Sequence, residues 1–221
     1  RGMTILSYRG RYASMSLKGE GSLPKDTFRN LNDDKKRKIF FFFVQEFSTR
    51  RFSEATINKI VKTARIPRGS FYQYFSGKED LFDYIFKEIL KEKIENIRQA
   101  ATFNPDADVF ETCMHTTRAT FEWSKLKPEY NQIGMLMEID NSEFIAKLRA
   151  TSFEGLRNLI ERDKERGLIK PEVDADLVIE MIYGLIWKQF SLVEFNKDIF
   201  LKRINDGMTI IKNGIAIAAP E

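Results

Sequence analysis

The spacing of apolar residues along this chain is helical almost throughout. From Asn32 onward, apolar positions recur every three or four residues, as on one face of an α-helix, and the first set is Ile39, Phe43, Val44 and Phe47. Nowhere does the sequence alternate between apolar and polar residues as an amphipathic strand does, and it shows no internal repeat. This pattern predicts an all-α protein.

Capping and turn residues divide the pattern into separate helices. Thr56 suits the N-cap of a short second helix, Pro67 suits the first turn of a third, and the pair Ser76-Gly77 ends that third helix after Phe75. Gly167 suits a C-terminal cap. The predicted helices begin near Asn32, Thr56, Pro67 and Lys78, the last running to about Ala101, and then lie at about 106–124, 128–138, 142–166, 173–195 and 198–217.

Charge is distributed unevenly along the chain. The whole sequence has a formal net charge of +4, but residues 1–78 contain 17 Lys or Arg and 6 Asp or Glu, whereas the remainder contains 19 and 26. A basic N-terminal third on a mildly acidic body is typical of a protein in which one module binds a polyanion. A solvated basic face is the alternative explanation.

Cysteine and histidine counts narrow the possible chemistry. Cys113 and His115 are the only residues of their kinds, so the sequence offers no disulfide framework and no Ser-His or Cys-His pair with an evident nucleophile. Glu111 and His115 share a helix face but Cys113 does not, so no metal site and no cofactor are predicted. Because no apolar run approaches the roughly 20 residues of a membrane-spanning helix, we expect a cytoplasmic protein. Because the sequence shows no phosphate-binding loop, no metal-ligand spacing and no nucleophile–base pair, we expect that it is not an enzyme.

The stretch PRGSFYQYFSGKEDLF, residues 67–82, carries the clearest functional signal. Two short helices separated by a tight turn form a helix-turn-helix, whose second helix can enter the DNA major groove. Arg68 at the start of that helix can bind guanine through two hydrogen bonds, and Gly69 allows close backbone approach. Phe71 and Phe75, four residues apart, should turn inward to the core.

The same stretch resembles the DNA-binding domain of the TetR family of bacterial transcriptional regulators. The resemblance covers about Lys38 to Phe86 and is strongest in the spacing Phe-Tyr-x-Tyr-Phe-x-x-Lys-x-x-Leu. This chain has Arg65 in the turn where the family often has Gly, and Pro67 where it often has Ser. The resemblance implies that duplex DNA is contacted by Thr56, Arg68, Gly69, Ser70, Tyr72, Gln73, Tyr74 and Lys78, with the tyrosine hydroxyls and the Lys78 ammonium on phosphates.

These features predict four regions. Residues 1–31 lack a helical period and are predicted to be a flexible basic arm, part of which could be foreign to the native protein. Residues 32–78 form the helix-turn-helix domain, 79–101 a linking helix, and 102–221 a helical regulatory and dimerisation domain.

The last two predicted helices carry broad apolar stripes, and the resemblance implies that they form a four-helix dimer interface. The residues expected in this interface are Met181, Leu185, Ile204, Met208 and Ile211. A surplus of large side chains also predicts an apolar pocket for a lipophilic, aromatic or cationic effector, although such residues often only fill a core. The expected lining is Phe110, Met114, Phe121, Met137, Phe153, Tyr183 and Trp187.

The sequence therefore predicts a DNA-binding repressor that binds a palindromic operator as a dimer and is released from it by a small effector. Two alternatives stay open: a regulator that binds DNA constitutively without any effector, and a helical adaptor protein.

Overall fold

The computed structural model describes residues 24–99, 104, 106–190 and 196–216, and within them it is all-α, as predicted. The main-chain trace contains no β-strand in these ranges, only an isolated bridge between Ile169 and Ala216. The α-helices are α1 (Asp26–Arg29), α2 (Asp33–Ser48), α3 (Ile57–Thr63), α4 (Arg68–Tyr74), α5 (Lys78–Gln99), α6 (Val109–Leu126), α7 (Pro128–Glu138), α8 (Glu143–Ser152), α9 (Glu154–Glu165), α10 (Ala175–Phe190) and α11 (Lys197–Ile215).

Two compact units account for the described residues. The first, here the reading unit, contains residues 24–96 and 122–151, and the second, the distal unit, contains residues 97–121 and 152–216 of the described chain. The segment 122–151 was not expected in the same unit as the helix-turn-helix. Helix α7 packs against α2, so the second half of the chain contributes to the unit that contains the helix-turn-helix.

The core of the reading unit is largely aromatic. Phe43 lies 5.8 Å from Phe75 and Phe47 lies 4.9 Å from Phe82, in edge-to-face pairs that fix ring orientation as well as burying area. Phe71 and Phe75 are both fully buried, as their spacing predicted. Of the four consecutive phenylalanines of α2, Phe43 is fully buried, Phe40 and Phe42 are partly buried against this core, and Phe41 is 55% exposed.

Residues 24–31 were predicted to belong to a flexible arm, but they pack against the reading unit. Helix α1 is ordered because Phe28, which is 2% exposed, inserts its ring among Tyr74, Phe75 and Tyr84. Burial of one phenylalanine outweighs the polar composition around it. The rest of the predicted arm, residues 1–23, lies outside the described residues.

The helix predicted over 142–166 is wrong as a single element, because it breaks at Phe153 into α8 and α9. At the break, the Phe153 ring packs edge-on against Tyr183 at 4.9 Å. The C-cap of α9 is Arg166, one residue before the predicted Gly167, and Gly167 follows with φ 70°, a left-handed conformation that glycine adopts without steric cost.

The core of the distal unit is mostly aliphatic, with Ile160, Ile182 and Ile204 fully or almost fully buried. A buried carboxylate, Asp163, organises one end of it. Its Oδ2 accepts a hydrogen bond of 2.6 Å from the backbone N–H of Val109, and its Oδ1 pairs with Arg162 and Arg166. Among the helices of the described ranges, none is long and apolar enough to cross a membrane.

Candidate nucleic-acid interface

Helices α3 and α4 form the predicted helix-turn-helix. The Thr56 side chain accepts a hydrogen bond from the backbone N–H of Lys59 and so caps α3, as expected. Ile60 on α3 and Phe71 on α4 are both fully buried, which holds the two short helices to the core through their inner faces. Their outer faces are left exposed.

The turn between these helices requires an unusual backbone conformation. Arg65 has φ 52°, the one positive φ at a non-glycine residue in the described part of the chain. A side chain in this left-handed region costs roughly 1–2 kcal/mol, which explains why glycine would suit the position. The Arg65 side chain is exposed, so the strained residue also adds a cation to the surface.

The exposed face of α4 carries most of the predicted DNA-contacting residues. Arg68, Gly69, Tyr72 and Gln73 are exposed and Ser70 is partly exposed. No Cβ-sized obstacle lies within 4 Å of Gly69, so its backbone is open to a ligand. These five residues lie together on the accessible part of α4, the helix on which the sequence predicted them.

Arg68, the predicted base-reading residue, is held by two neighbours. Its guanidinium donates to the Asn58 side-chain oxygen and, over 3.3 Å, to the Tyr72 hydroxyl, and it lies 5.7 Å from the centre of the Tyr72 ring. These contacts restrict the arginine before any DNA is bound, which lowers the entropy cost of binding.

Sequence reasoning missed several members of this face. Asn58, Lys59 and Lys62 are exposed on α3 beside the predicted residues, and their spacing on the first helix could have indicated them. Lys25 is also nearby: its ammonium donates to the Tyr72 carbonyl and its backbone N–H to the Tyr74 carbonyl, so it caps the end of α4. No sequence signal indicated this contact.

The structure contradicts the exposed position predicted for Tyr74. Its side chain is 5% exposed, and the ring lies 5.5 Å from that of Phe28. Tyr72 and Tyr74 point in different directions, as expected two residues apart in a helix, but α1 covers the side of α4 that carries Tyr74. Tyr74 is therefore a core residue of the reading unit.

Lys78 is also used differently from the prediction. Its ammonium donates to the carbonyl oxygens of Phe52 at 2.7 Å and Ala55 at 2.9 Å, and it lies 4.2 Å from the centre of the Phe52 ring. Burial lowers the pKa of this ammonium, while Asp140 and Glu79 act in the opposite direction. Lys78 fixes the turn before α3 and does not present its charge freely to a phosphate.

Arg50 and Arg51, which precede α3, both pair with nearby carboxylates. Arg50 pairs with the buried carboxylate of Glu46 at 2.8 Å, and Arg51 pairs with Glu54. Both arginines therefore have partners within the reading unit.

Most of the residues predicted at the dimer interface lie inside the distal unit. Ile204, Met208 and Ile211 are buried in its core, so these three are not available to a partner as predicted, and Leu185 is partly buried. The periodicity of α11 was correct, but its stripe faces α10. Met181 is exposed as expected, and so are two other apolar side chains of these helices: Leu177, Met181 and Ile210 are 55%, 47% and 72% exposed. Leu177 and Met181 are four residues apart on α10 and share one face of that helix.

The residues predicted to line a pocket are divided between two cores. Phe110, Met114 and Phe121 are buried in the distal unit, where Phe121 packs on Phe200, but Met137 belongs to the core of the reading unit. Met137 therefore does not join the predicted set, because α7 packs on α2.

The remaining three, Phe153, Tyr183 and Trp187, are partly buried in the distal unit. The Trp187 indole Nε1 is buried there and has no hydrogen-bond partner.

The residues considered as metal ligands form no site. In the ranges that the structure covers, no group of three or more His, Cys, Asp or Glu side chains is placed to hold an ion. Burial raises the pKa of the Cys113 thiol to about 12, with Asp108 adding to the effect, so this thiol stays protonated.

Comparison with known proteins identifies the class of this interface. Residues 44–85 match the model of a family described as bacterial regulatory proteins, tetR family. The HTH-type transcriptional regulator YhgD of Bacillus subtilis is 26% identical over 164 residues, covering 70% of this chain and 83% of that protein.

Two solved structures have the same fold. A TetR family transcriptional regulator from Chloroflexus aurantiacus superposes with a TM-score of 0.67 at 22% identity, over 89% of this chain and all of the other. The fatty acid degradation regulator FadR from Bacillus halodurans superposes with a TM-score of 0.56, also at 22% identity, over 80% of this chain and 98% of the other.

Proposed function

Because this chain belongs to the TetR family of bacterial transcriptional regulators, and is a regulator rather than an enzyme, we propose that it represses transcription from a palindromic operator. It binds the operator as a homodimer and is released by a small effector. As a regulator of transcription it acts in the cytoplasm, where bacterial DNA lies. The observation that carries the proposal is the exposed basic face of α3 and α4 with Arg68 held at its centre.

The chemistry of this face supports sequence-specific reading. A guanidinium can donate two hydrogen bonds to guanine, and the Gln73 amide can do the same to adenine. Lys59, Lys62 and Arg65 surround these groups as exposed cations and suit phosphates, which position a protein without reading sequence. We assign base reading to Arg68 and Gln73, with Thr56, Gly69, Ser70 and Tyr72 on the backbone of the duplex.

A dimer is supported by the exposed apolar side chains Leu177, Met181 and Ile210 of α10 and α11. Leu177 and Met181 share one face of α10, and large apolar side chains exposed together usually mark an interface. One helix-turn-helix covers a single half-site, so a two-fold dimer also explains how a palindrome is read.

An effector site is supported by Trp187. A buried indole N–H without a partner costs about 1–3 kcal/mol, and a ligand oxygen would remove that cost. Phe153 and Tyr183, in contact with each other, supply an aromatic wall in the same unit. We propose an apolar effector that carries a hydrogen-bond acceptor.

The indole N–H also bears on the head group of the effector. A carboxylate suits this donor, because its two oxygens accept hydrogen bonds, whereas an ammonium only donates them. The cationic effector that the sequence suggested is therefore disfavoured. The FadR relative of similar fold, a fatty acid degradation regulator, is consistent with an effector of this chemistry.

Selection of bound duplexes from random DNA tests the DNA-binding part of the proposal. We expect recovery of a palindrome, and binding to it that weakens as the salt concentration rises. Recovery of a sequence without two-fold symmetry would contradict binding as a two-fold dimer. The absence of any selected sequence would favour the adaptor alternative.

Three ten-carbon probes test the effector. Decanoate, decanol and decylamine differ in head-group charge but share one chain, and each is assayed by thermal shift and by release of the selected operator. We expect decanoate to stabilise the protein most and to weaken operator binding. If none of the three alters operator affinity, the constitutive alternative is favoured.

A further inference from the structure

The corner between α7 and α8 contains a fully buried carboxylate, Asp140. Its Oδ1 accepts a local hydrogen bond of 2.9 Å from the backbone N–H of Ser142. Its Oδ2 accepts a bond of 2.7 Å from the backbone N–H of Ser53, 87 residues earlier in the chain. Asp140 therefore connects this corner to the short 3₁₀ turn Phe52–Glu54, which directly precedes the DNA-reading helices.

The 3₁₀ turn is held from a second side by Lys78. Its ammonium binds the carbonyl oxygens of Phe52 and Ala55, so side chains from other parts of the sequence fix both a donor and two acceptors of this turn. The next residue, Thr56, caps α3. The position of the turn therefore determines where α3 begins and how it is oriented.

The corner is itself held together by side-chain contacts. The Arg149 guanidinium donates to the carbonyl oxygens of Met137 at 2.6 Å and Glu138 at 2.9 Å, which ties α8 to the end of α7. The Phe144 ring lies 4.7 Å from the ring of Phe52, the first residue of the turn. Polar and aromatic contacts thus join the corner and the turn.

The charge of Asp140 is suited to this role. Burial alone would raise the pKa of its carboxyl, but hydrogen bonds from Ser142 and Ser53 lower it below the ordinary value. The carboxylate stays ionised at neutral pH and accepts both backbone bonds at once. An asparagine of the same shape has one acceptor oxygen, so it would leave one N–H facing an NH₂ group.

We propose that Asp140 is a positioning residue for DNA binding: it touches no DNA, but it holds the turn that orients α3 and α4. The corner lies outside residues 44–85, the segment that matches the family model. DNA affinity in this chain then depends on the seating of a corner from the second half of the sequence. This inference rests on the proposed DNA-binding function.

The test compares Asp140→Asn with Asp163→Asn in the full chain. Both aspartates are fully buried and both accept a backbone N–H, but Asp163 lies in the distal unit. Operator affinity is measured by fluorescence anisotropy at a temperature at which both variants are folded, and amide hydrogen exchange is followed at Ser53. We expect Asp140→Asn to weaken operator binding roughly tenfold, because fewer molecules hold the competent conformation, and to speed exchange at Ser53.

Asp163→Asn should keep operator affinity within about twofold of the unaltered protein, since it leaves the turn intact. Wild-type affinity in Asp140→Asn, or an equal loss in Asp163→Asn, would overturn the positioning role. If Asp140→Asn does not fold, Arg149→Met replaces it, with an expected loss of about two- to fivefold as the corner loosens. Wild-type affinity in that variant would also overturn the proposal.

Failure of the proposed function gives a different result. An unaltered chain that binds no duplex refutes the DNA-binding function itself. Unchanged operator binding and unchanged Ser53 exchange in Asp140→Asn refute only the positioning role.

Discussion

The outer face of α3 and α4 differs from the outer face of α10 and α11 in its polarity and in how well the sequence alone predicts it. The first is polar and basic, and residues close in sequence define it: Asn58 and Tyr72 hold Arg68 from within the same helix-turn-helix. The second exposes three large apolar side chains, Leu177, Met181 and Ile210, while other apolar residues of the same two helices form the core. A polar reading face can be recognised from a short motif, whereas an apolar contact face cannot be separated from a core stripe by periodicity alone.

The largest expected effect comes from placing charge on the apolar face. Leu177→Glu combined with Met181→Glu should weaken dimerisation more than about 100-fold, because two carboxylates would have to be buried at the interface. Operator affinity should fall as well, since a monomer reads only one half-site. Sedimentation across a concentration series measures the dimer constant.

A matched control for that variant is Leu126→Glu, which changes an apolar residue that is also exposed but lies on α6. It should leave the dimer intact. Dimers that persist in the double variant would show that the contact face lies elsewhere on the molecule.

On the polar face, Arg68→Met should relax base preference by about 1–3 kcal/mol at one position of each half-site. Lys62→Met should instead weaken binding to all duplexes alike and reduce the salt dependence by about one unit of slope, because phosphates carry no sequence information. Competition binding with single-base operator variants separates the two effects. Equal losses on every duplex for Arg68→Met would argue against base reading.

The packing behind the apolar face is tested at Gly207. A Cβ added there would lie 3.0 Å from Leu185 Cδ1 and 3.3 Å from its Cγ, so Leu185 would have to leave its rotamer. Gly207→Ala should lower the free energy of unfolding by about 1 kcal/mol. Gly214→Ala in the same helix meets nothing within 4 Å and should not destabilise the protein; denaturant titration of both variants is the measurement.

The smallest expected effect lies in the turn of the polar face. Arg65→Gly should raise the free energy of unfolding by about 0.5–1 kcal/mol, because glycine adopts the left-handed conformation without steric cost but is more flexible when unfolded. Arg65→Ala removes the same charge but retains the strain, so it serves as the control. Thermal unfolding of the two variants should show stabilisation by glycine alone, and a glycine midpoint no higher than that of alanine would mean that the strain is too small to offset the flexibility of glycine in the unfolded chain.

The sequence by itself determined the helical class, the helix-turn-helix and the inward direction of Phe71 and Phe75. These follow from local physics: the period of an α-helix, the capping of Thr56 and the spacing of four residues between aromatic side chains. It also predicted that Arg68, Tyr72 and Gln73 lie on one side of α4, because their spacing places them within the same half of a helix.

Only the tertiary structure decided which segments cover the remaining sides of these helices. Helix α1 buries Tyr74, the carbonyls of Phe52 and Ala55 engage Lys78, and Asp140 reaches the same turn from 87 residues away. In the distal unit, Ile204 and Met208 face inward because α11 packs its apolar stripe on α10. Helical periodicity specifies which residues share a face, but it contains no information about which distant segment will cover that face, and this long-range pairing separates a buried tyrosine from an exposed one.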